Sequence, residues 1–456
     1  MQNKLNGDFF SQSLHLIFSN FLKLFSQIAV LIIYSRMLSV ADYGKYQSGW
    51  LYIAVISSVS LFGLPSLILS SGISGITAFL SINKKRSATV ISLFTILPLL
   101  YLFFFGKNFN NEEAFSLCIL IISQNISIVS EAVAVKNGNT KKVLNANILI
   151  NILFFSSHIL ILLPGYSFTY LMWSLNVVFI LKSFLLNINS ANAGSNIPAK
   201  TVGRQWTLLG FIDVINIVFR WADKWLILLF LSITEFAVYF NGAYEIPVFL
   251  LLTGAVGNIM IVRLINFPQS GKELLHSSVE MLAPFVFVSF SFLLFNYSDF
   301  FLLLFSDKYA ASVPIFFIAI FVLPVRITNY TSILQSLQRS DIILKGTLLE
   351  LIIVIVLLVI LYPLFKMEGI IASFVAATWF QAFYYLRNTS VLLNTSIKNI
   401  FPWKWLFTTL IICILVFATI YFSAKAIIPA FKMYAGITTA VILMIYFYGR
   451  KFISSL

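Results

Sequence analysis

Long, uninterrupted apolar segments recur along the whole chain of 456 residues and are separated by short polar connections. A helix needs about 20 apolar residues to cross the hydrocarbon core of a bilayer. The segments are continuous rather than alternating, which excludes a transmembrane β-barrel and favours helices. We therefore predict an all-α polytopic membrane protein with about fourteen transmembrane helices. The predicted spans lie roughly at 12–34, 46–69, 88–105, 114–135, 143–163, 168–187, 207–231, 237–262, 279–298, 312–335, 346–363, 369–387, 405–423 and 432–449.

The composition is that of a membrane protein rather than a soluble one. Hydrophobic residues make up 60% and charged residues 10% of the chain, and the mean hydropathy is +0.95. Soluble domains carry about 25% charged residues. The two cysteines, Cys118 and Cys413, lie inside apolar segments and are interpreted as packed thiols rather than a disulfide. The first apolar segment is too long for a signal-peptide core and should remain as the first helix.

Basic residues are distributed unequally between the connections. Lys and Arg concentrate at both termini and in the connections that follow even-numbered spans, with Lys182 counted in the connection after the sixth span. The positive-inside rule then places both termini in the cytoplasm and requires an even number of spans. Membrane orientation thereby accounts for the net charge of +14, and we expect no nucleic-acid partner.

A nine-residue motif occurs twice. Leu38–Tyr46 (LSVADYGKY) follows the first predicted span, and Leu231–Tyr239 (LSITEFAVY) follows the seventh. The match is either a coincidence in a chain of low complexity or the sign of two related six-helix lobes in parallel orientation, a common plan of transporters. The second interpretation divides the chain into an N-terminal lobe (1–188), a cytoplasmic linker (189–206), a C-terminal lobe (207–390) and two additional transmembrane helices (391–456).

Four cations fall inside predicted spans, where a charge is costly and usually faces a bundle interior or a watery cavity. Lys23 either extends to the lipid headgroups or lines a cavity. Arg326 has the planar donor geometry that suits phosphate. The candidate substrate-binding cations are Lys23, Arg220, Lys224 and Arg326.

Acids and amides accompany these cations, so the interior is not cationic overall. Asp213, Asn216 and Asp223 share one helix face with Arg220, and this stripe is either a self-neutralising structural group or a cation presented to an anion. A carboxyl group in a partly dry cavity can also exchange protons. The candidate cavity or ion-coupling residues are Asp213, Asn216, Asp223, Glu245, Glu131 and Glu350.

No pattern typical of a soluble enzyme is present. The three histidines lack the spacing of metal ligands, no phosphate-binding loop occurs, and the connections are too short to hold a catalytic domain. We predict that the protein is not an enzyme and needs no metal or cofactor, with H⁺ or Na⁺ as candidate coupling ions. A membrane-bound polymerase or ligase is disfavoured because the outer connections are short.

Four segments together resemble the polysaccharide-transport branch of the multidrug/oligosaccharidyl-lipid/polysaccharide exporter superfamily. They are Leu38–Tyr46, Asp223–Tyr244, Leu304–Tyr309 and Gly369–Ser373, in the family's order. The family usually has Gly at the position of Ala237, so this local match is imperfect. The resemblance implies a V-shaped, MATE-like arrangement of two six-helix lobes.

The same resemblance implies a Wzx-type flippase of the bacterial inner membrane. Such a protein moves an undecaprenyl-diphosphate-linked oligosaccharide, the repeat unit of O-antigen or capsule, between leaflets by alternating access during lipopolysaccharide biosynthesis or polysaccharide transport. The candidate partners are this lipid, the bilayer, and the polymerase and chain-length regulator of the pathway. The alternative, motivated by the membrane acids, is a cation-coupled multidrug or organic-cation antiporter of the same fold.

Overall fold

A computed structural model of the chain describes residues 2–69, 84–162, 165–186, 199–266, 270–337, 339–427 and 432–455. Within these ranges the chain is almost entirely helical and contains no strand. This confirms the predicted all-α class, which follows because a backbone in lipid must satisfy its own hydrogen bonds.

The helices follow the apolar segments closely. All fourteen predicted spans fall on helical segments in their described residues, and eight helices in the described part are long and apolar enough to cross a bilayer by themselves. The α-helices are α1 (Gln2–Met37), α2 (Val40–Leu61), α3 (Lys84–Phe105), α4 (Asn111–Lys136), α5 (Thr140–Leu162), α6 (Phe168–Leu186), α7 (Ala199–Phe230), α8 (Ile233–Gly242), α9 (Pro247–Asn266), α10 (Gly271–Phe305), α11 (Val313–Ala319), α12 (Tyr330–Ser336), α13 (Ser340–Leu392), α14 (Ile397–Ile400), α15 (Trp403–Ile427) and α16 (Lys432–Ser455).

The 53 residues of α13 form a helical hairpin. A straight helix of that length would measure about 80 Å, far more than a bilayer requires. The chain reverses at Lys366, whose φ of 49° lies in the left-handed region. Tyr385 on the second arm donates a hydrogen bond of 2.9 Å to the Ile343 carbonyl on the first. Gly369 lies against the backbone of Leu361, where a side chain would not fit. The two arms correspond to the predicted spans 346–363 and 369–387.

Three predicted spans are discontinuous within the described residues. The span 46–69 is interrupted at Phe62 and Gly63, whose φ angles of 41° and 74° lie in the left-handed region. The span 237–262 consists of α8 and α9, separated by a break at 243–246. The span 312–335 consists of 3₁₀ turns at Asp307–Ser312 and Ile320–Ile327, together with α11 and α12. Proline stands at the start of α9 (Pro247) and inside the second 3₁₀ turn (Pro324), where it removes a backbone donor and prevents a continuous helix. Apolar periodicity alone does not reveal such breaks.

The chain divides into two compact units, Met1–Ala237 and Val238–Leu456. The helix α7, assigned to the C-terminal lobe by sequence, belongs to the first unit and packs on α2. Trp206 donates a hydrogen bond of 2.9 Å to the Phe62 carbonyl, and the rings of Tyr52 and Trp225 lie 5.0 Å apart. Residues 189–198 of the expected linker (189–206) lie outside the described residues, so the four-part division stays a prediction.

The repeated motif forms the same helix start twice. Ser39 accepts a hydrogen bond from the backbone N–H of Asp42, and Ser232 accepts one from that of Glu235, at 3.1 and 3.2 Å. Both are N-caps with an acid three residues later, which satisfies free donors of the first turn. The copies also touch, because Gly44 lies against the Ile233 carbonyl and the Ala237 side chain. Gly44 and Ala237 occupy equivalent positions of the motif.

Candidate functional site

A charged cluster lies inside the helix bundle of the first unit. The helix α1 packs on α5, and α6 packs on both α4 and α5, which brings polar residues of four helices together. Lys182 of α6 forms an ion pair of 2.5 Å with Glu131 of α4. The side chain of Lys182 is 7% exposed and that of Glu131 is 27% exposed, so most of the pair is removed from solvent.

The remaining carboxylate oxygen of Glu131 is also engaged. The Asn147 amide donates to it at 3.3 Å and to the hydroxyl of Ser19 at 2.7 Å, which ties α5 to both α4 and α1. Lys23, one turn after Ser19 on α1, is exposed, and its charge interacts with those of Glu131 and Lys182. The cluster therefore contains two basic side chains and one acidic side chain, so its bases outnumber its acids by one.

In the polar stripe of α7, one acid pairs with a neighbouring lysine and Arg220 lies outside that pair. Asp223 is buried and forms an ion pair of 2.8 Å with its neighbour Lys224. Asp213 interacts with the Ser66 hydroxyl. Arg220 is exposed and forms no ion pair within the described residues. Lys224 is thus the neutralised cation of this helix, while Arg220 stays available to an anion. The side chain of Asn216 lies outside the described residues.

In the second unit, Arg326 and Glu245 form an ion pair that joins the discontinuous spans 237–262 and 312–335. Arg326 lies in the 3₁₀ turn Ile320–Ile327, and Glu245 lies in the break between α8 and α9. Glu350, on the first arm of α13, is buried and accepts a hydrogen bond of 3.0 Å from Thr378 on the second arm. Arg326 is therefore held by a carboxylate in this structure and is a weaker candidate for anion binding than Lys23 or Arg220.

The described acids lie apart from one another rather than in one metal-binding group. Among the described residues, no group of three His, Cys, Asp or Glu side chains lies close enough to hold a metal ion. Each acid is associated with a particular partner, namely Lys182 for Glu131, Lys224 for Asp223 and Thr378 for Glu350. The proposed H⁺ or Na⁺ coupling stays a prediction.

Sequence reasoning missed the importance of Lys182. We counted it with the connection after the sixth span, but the structure places it inside α6, four residues before the helix ends at Leu186. The signal was present in the predicted span 168–187, which already contained the residue. Its partner Glu131 lies in α4, and sequence spacing gives no information about contacts between helices so far apart in the chain.

Comparisons with known proteins bear on the fold. No family model and no curated protein matches the chain. Three similar structures are the inward closed conformation of lipid II flippase MurJ (TM-score 0.67, 16% identity, 97% of this chain and 100% of that one), the eukaryotic MATE transporter AtDTX14 (0.56, 11%, 89% and 100%) and a mutant of the Vibrio cholerae MATE transporter VcmN (0.54, 12%, 85% and 97%). These identities support a shared fold rather than a shared substrate. The chain therefore has the membrane fold common to MurJ and the MATE transporters.

Proposed function

We propose that the protein is a flippase for a lipid-linked anionic oligosaccharide, an undecaprenyl-diphosphate-linked repeat unit of O-antigen or capsule. The observation that carries the proposal is the charged cluster of the first unit. Lys23, Lys182 and Glu131 bring two basic side chains and one acidic side chain together on helices long enough to span a bilayer, and Lys23 is the exposed member of the three. Charged side chains kept inside spans are most often functional.

The chemistry of the substrate suits this cluster. A diphosphate cannot cross about 30 Å of hydrocarbon without compensating charge, whereas its polyprenyl tail can remain in lipid. Lys182 is held by Glu131, so Lys23 supplies the ammonium group that is free to reorient. Arg220, exposed and without an ion pair in the described part of the chain, offers a second, bidentate phosphate ligand. The amide of Asn147 and the hydroxyl of Ser19 are hydrogen-bonding groups suited to sugars.

Transport would proceed by alternating access. The discontinuous spans at 237–262 and 312–335 and the reversal at Lys366 supply positions where helices can bend without breaking long runs of backbone hydrogen bonds. The Arg326–Glu245 pair would stabilise one of the two conformations. In this proposal the protein resides in the bacterial inner membrane with both termini in the cytoplasm, and the polymerase and chain-length regulator act on its product.

Deletion of the gene followed by analysis of polyprenyl-linked sugars tests the proposal. We expect single repeat units to accumulate and surface polymer to disappear, and we expect wild-type protein to restore both. Complementation with Lys23→Gln or Arg220→Gln should restore less polymer at equal protein level, whereas Lys141→Gln, which removes an exposed charge of the same unit, should restore it fully. Normal polymer and no accumulated intermediate in the deletion strain would refute the proposal.

A cation-coupled antiporter is the second candidate, and Glu350 is the observation that favours it. This carboxyl group is 3% exposed and has one described hydrogen-bond donor, Thr378. A buried acid of this kind can bind and release a cation during transport. Organic-cation efflux that is driven by a proton or Na⁺ gradient and abolished by Glu350→Gln, with intact surface polymer in the deletion strain, would favour the antiporter over the flippase.

A further inference from the structure

A shallow, open cavity of about 580 Å³ lies at the start of α15, and none of the candidate site residues of the sequence lines it. The cavity belongs to the second unit and opens to the surface. It is lined by Lys398, Pro402, Trp403, Lys404, Trp405 and Thr408.

The position of the cavity is that of a membrane–water interface. The helix α15 begins at Trp403 with an apolar span that continues to Ala424. Trp residues at the end of a span mark the headgroup level of the bilayer, where an indole ring has one apolar and one wet side. The cavity therefore lies where lipid headgroups lie, and the apolar part of α15 extends from it into the hydrocarbon.

One wall of the cavity is rigid. The indole N–H of Trp403 donates a hydrogen bond of 2.8 Å to the Ile397 carbonyl, and its ring lies 5.2 Å from Phe401 and 6.0 Å from Phe407. Phe401 is itself 3% exposed and anchors the connection in the core of the unit. A ligand would find this apolar wall already formed, so that little conformational entropy is lost on binding.

The Trp403 and Thr408 side chains of the lining bond to backbone carbonyls, which leaves the two lysines and the first turn of α15 as the groups that can meet a ligand. Lys398 and Lys404 are exposed and form no ion pair with any described residue. The backbone N–H groups of Lys404 and Trp405 lie in the first turn of α15, where a helix offers no acceptor. The cavity lining contains no acid. Two ammonium groups and the positive end of a helix therefore surround one cavity, an arrangement that attracts a phosphate.

A stripe of exposed apolar residues leads away from these donors. Phe407, Ile411 and Leu415 follow one another at a spacing of four residues along α15 and are 57%, 55% and 60% exposed. Residues at this spacing lie on one helix face. A free phosphate would make no contact with this stripe, whereas the acyl chains of a phospholipid would cover it.

We propose that this cavity binds the phosphodiester headgroup of an anionic phospholipid. Lys398, Lys404 and the first turn of α15 contact the phosphate, Trp403 contacts the glycerol backbone, and the acyl chains lie along Phe407, Ile411 and Leu415. The bound lipid fixes the connection between α13 and α15 at the bilayer surface. The site binds a lipid of the surrounding bilayer rather than the transported substrate, so this inference does not depend on the proposed function.

Native mass spectrometry of the purified full-length protein tests this proposal with phosphatidylglycerol and phosphatidylcholine as probes. Wild-type protein should retain phosphatidylglycerol in preference to phosphatidylcholine. The double variant Lys398→Ala/Lys404→Ala should bind phosphatidylglycerol about thirtyfold more weakly, because each basic residue at a membrane surface contributes a factor of about five. The matched control Lys272→Ala/Lys345→Ala removes two exposed charges of the same unit outside the cavity and should retain the lipid.

Three results would overturn the proposal. The first is equal retention of the two lipids by wild-type protein, which requires no variant and so stands even where the double variant fails to fold. The second is equal loss of phosphatidylglycerol in the control, which would assign the binding to diffuse surface charge. The third is displacement of the lipid by inorganic phosphate alone, which would identify a free-phosphate site. Size-exclusion profiles of the variants confirm that the chains compared are folded.

Discussion

Removing the carboxylate of Glu131 should destabilise the protein more than removing its partner Lys182. Glu131→Gln leaves Lys182, 7% exposed, without its counter-charge and close to the like charge of Lys23. Removing one partner of a buried pair typically costs about 3–5 kcal/mol. Because Glu131 is 27% exposed and the amide of Asn147 remains, we expect the free energy of unfolding to fall by less than in a fully buried pair, about 2–3 kcal/mol.

Lys182→Met should lower the free energy of unfolding by about 1 kcal/mol. The methionine replaces most of the apolar stem of the lysine. Glu131 still has the charge of Lys23 nearby and still accepts the hydrogen bond from Asn147. The double variant Glu131→Gln/Lys182→Met removes both charges and should be close in stability to Lys182→Met alone. The coupling between the two residues is therefore about 2–3 kcal/mol, within the usual range for residues in contact.

Reversible unfolding in mixed detergent micelles, followed by tryptophan fluorescence, measures these differences. The exposed pair Arg339–Asp341, with side chains 42% and 48% exposed, provides a control cycle whose coupling should be below about 1 kcal/mol. Two results would refute the interpretation that Glu131 interacts with both lysines. One is an equal loss of unfolding free energy in the two single variants, and the other is an additive loss in the double variant.

Three further expectations concern packing, pH and orientation. Gly44→Ala places a Cβ against the Ile233 carbonyl, which cannot move aside. It should lower thermal stability by more than the control Ala54→Gly in the same helix, which costs about 1 kcal/mol in helix propensity. Unchanged stability of Gly44→Ala would contradict the close packing. Hydrogen bonds from the backbone and the hydroxyl of Ser232 lower the pKa of Glu235. Its contribution to stability is therefore complete above the unfolded-state value of about 4.3 and is lost as pH falls through the lowered folded-state value. Ser232→Ala removes the hydroxyl bond but keeps the backbone one, so it should reduce this acid loss in titrations of stability and cost about 1 kcal/mol of unfolding free energy. If the connection that carries Lys398 is cytoplasmic, Lys398→Cys should react with a membrane-impermeant maleimide only after the cells are permeabilised. Labelling of intact cells would contradict the predicted orientation.

Much of the fold could be predicted from the sequence because the bilayer imposes one local requirement. Any segment of about 20 apolar residues must form a helix, whatever its neighbours are. The hairpin of α13 was divided correctly at 346–363 and 369–387 because a polar connection separates two apolar runs. The breaks in 237–262 and 312–335 were not predicted, since hydropathy remains high across them and the cause lies in individual residues such as Pro324.

The candidate site was predicted only as a set of residue types. Sequence placed Lys23, Glu131 and Arg220 inside spans, yet the pairing of charges depends on which helices pack together. Asp223 and Arg220 have a helical spacing that suggested a pair, but Asp223 forms its ion pair with the adjacent Lys224. Lys182 near the end of its span was assigned to a connection, because boundaries read from sequence are uncertain by several residues.

Binding of undecaprenyl diphosphate to the purified protein tests the central claim most directly. Wild-type protein should bind this probe more tightly than the uncharged undecaprenol. Lys23→Gln should weaken binding at least about tenfold, because hydrogen bonds to charged groups contribute about 1.5–3 kcal/mol, whereas Lys23→Arg and the surface control Lys141→Gln should bind nearly as wild type. Equal affinity of Lys23→Gln and wild-type protein for the diphosphate would contradict the account.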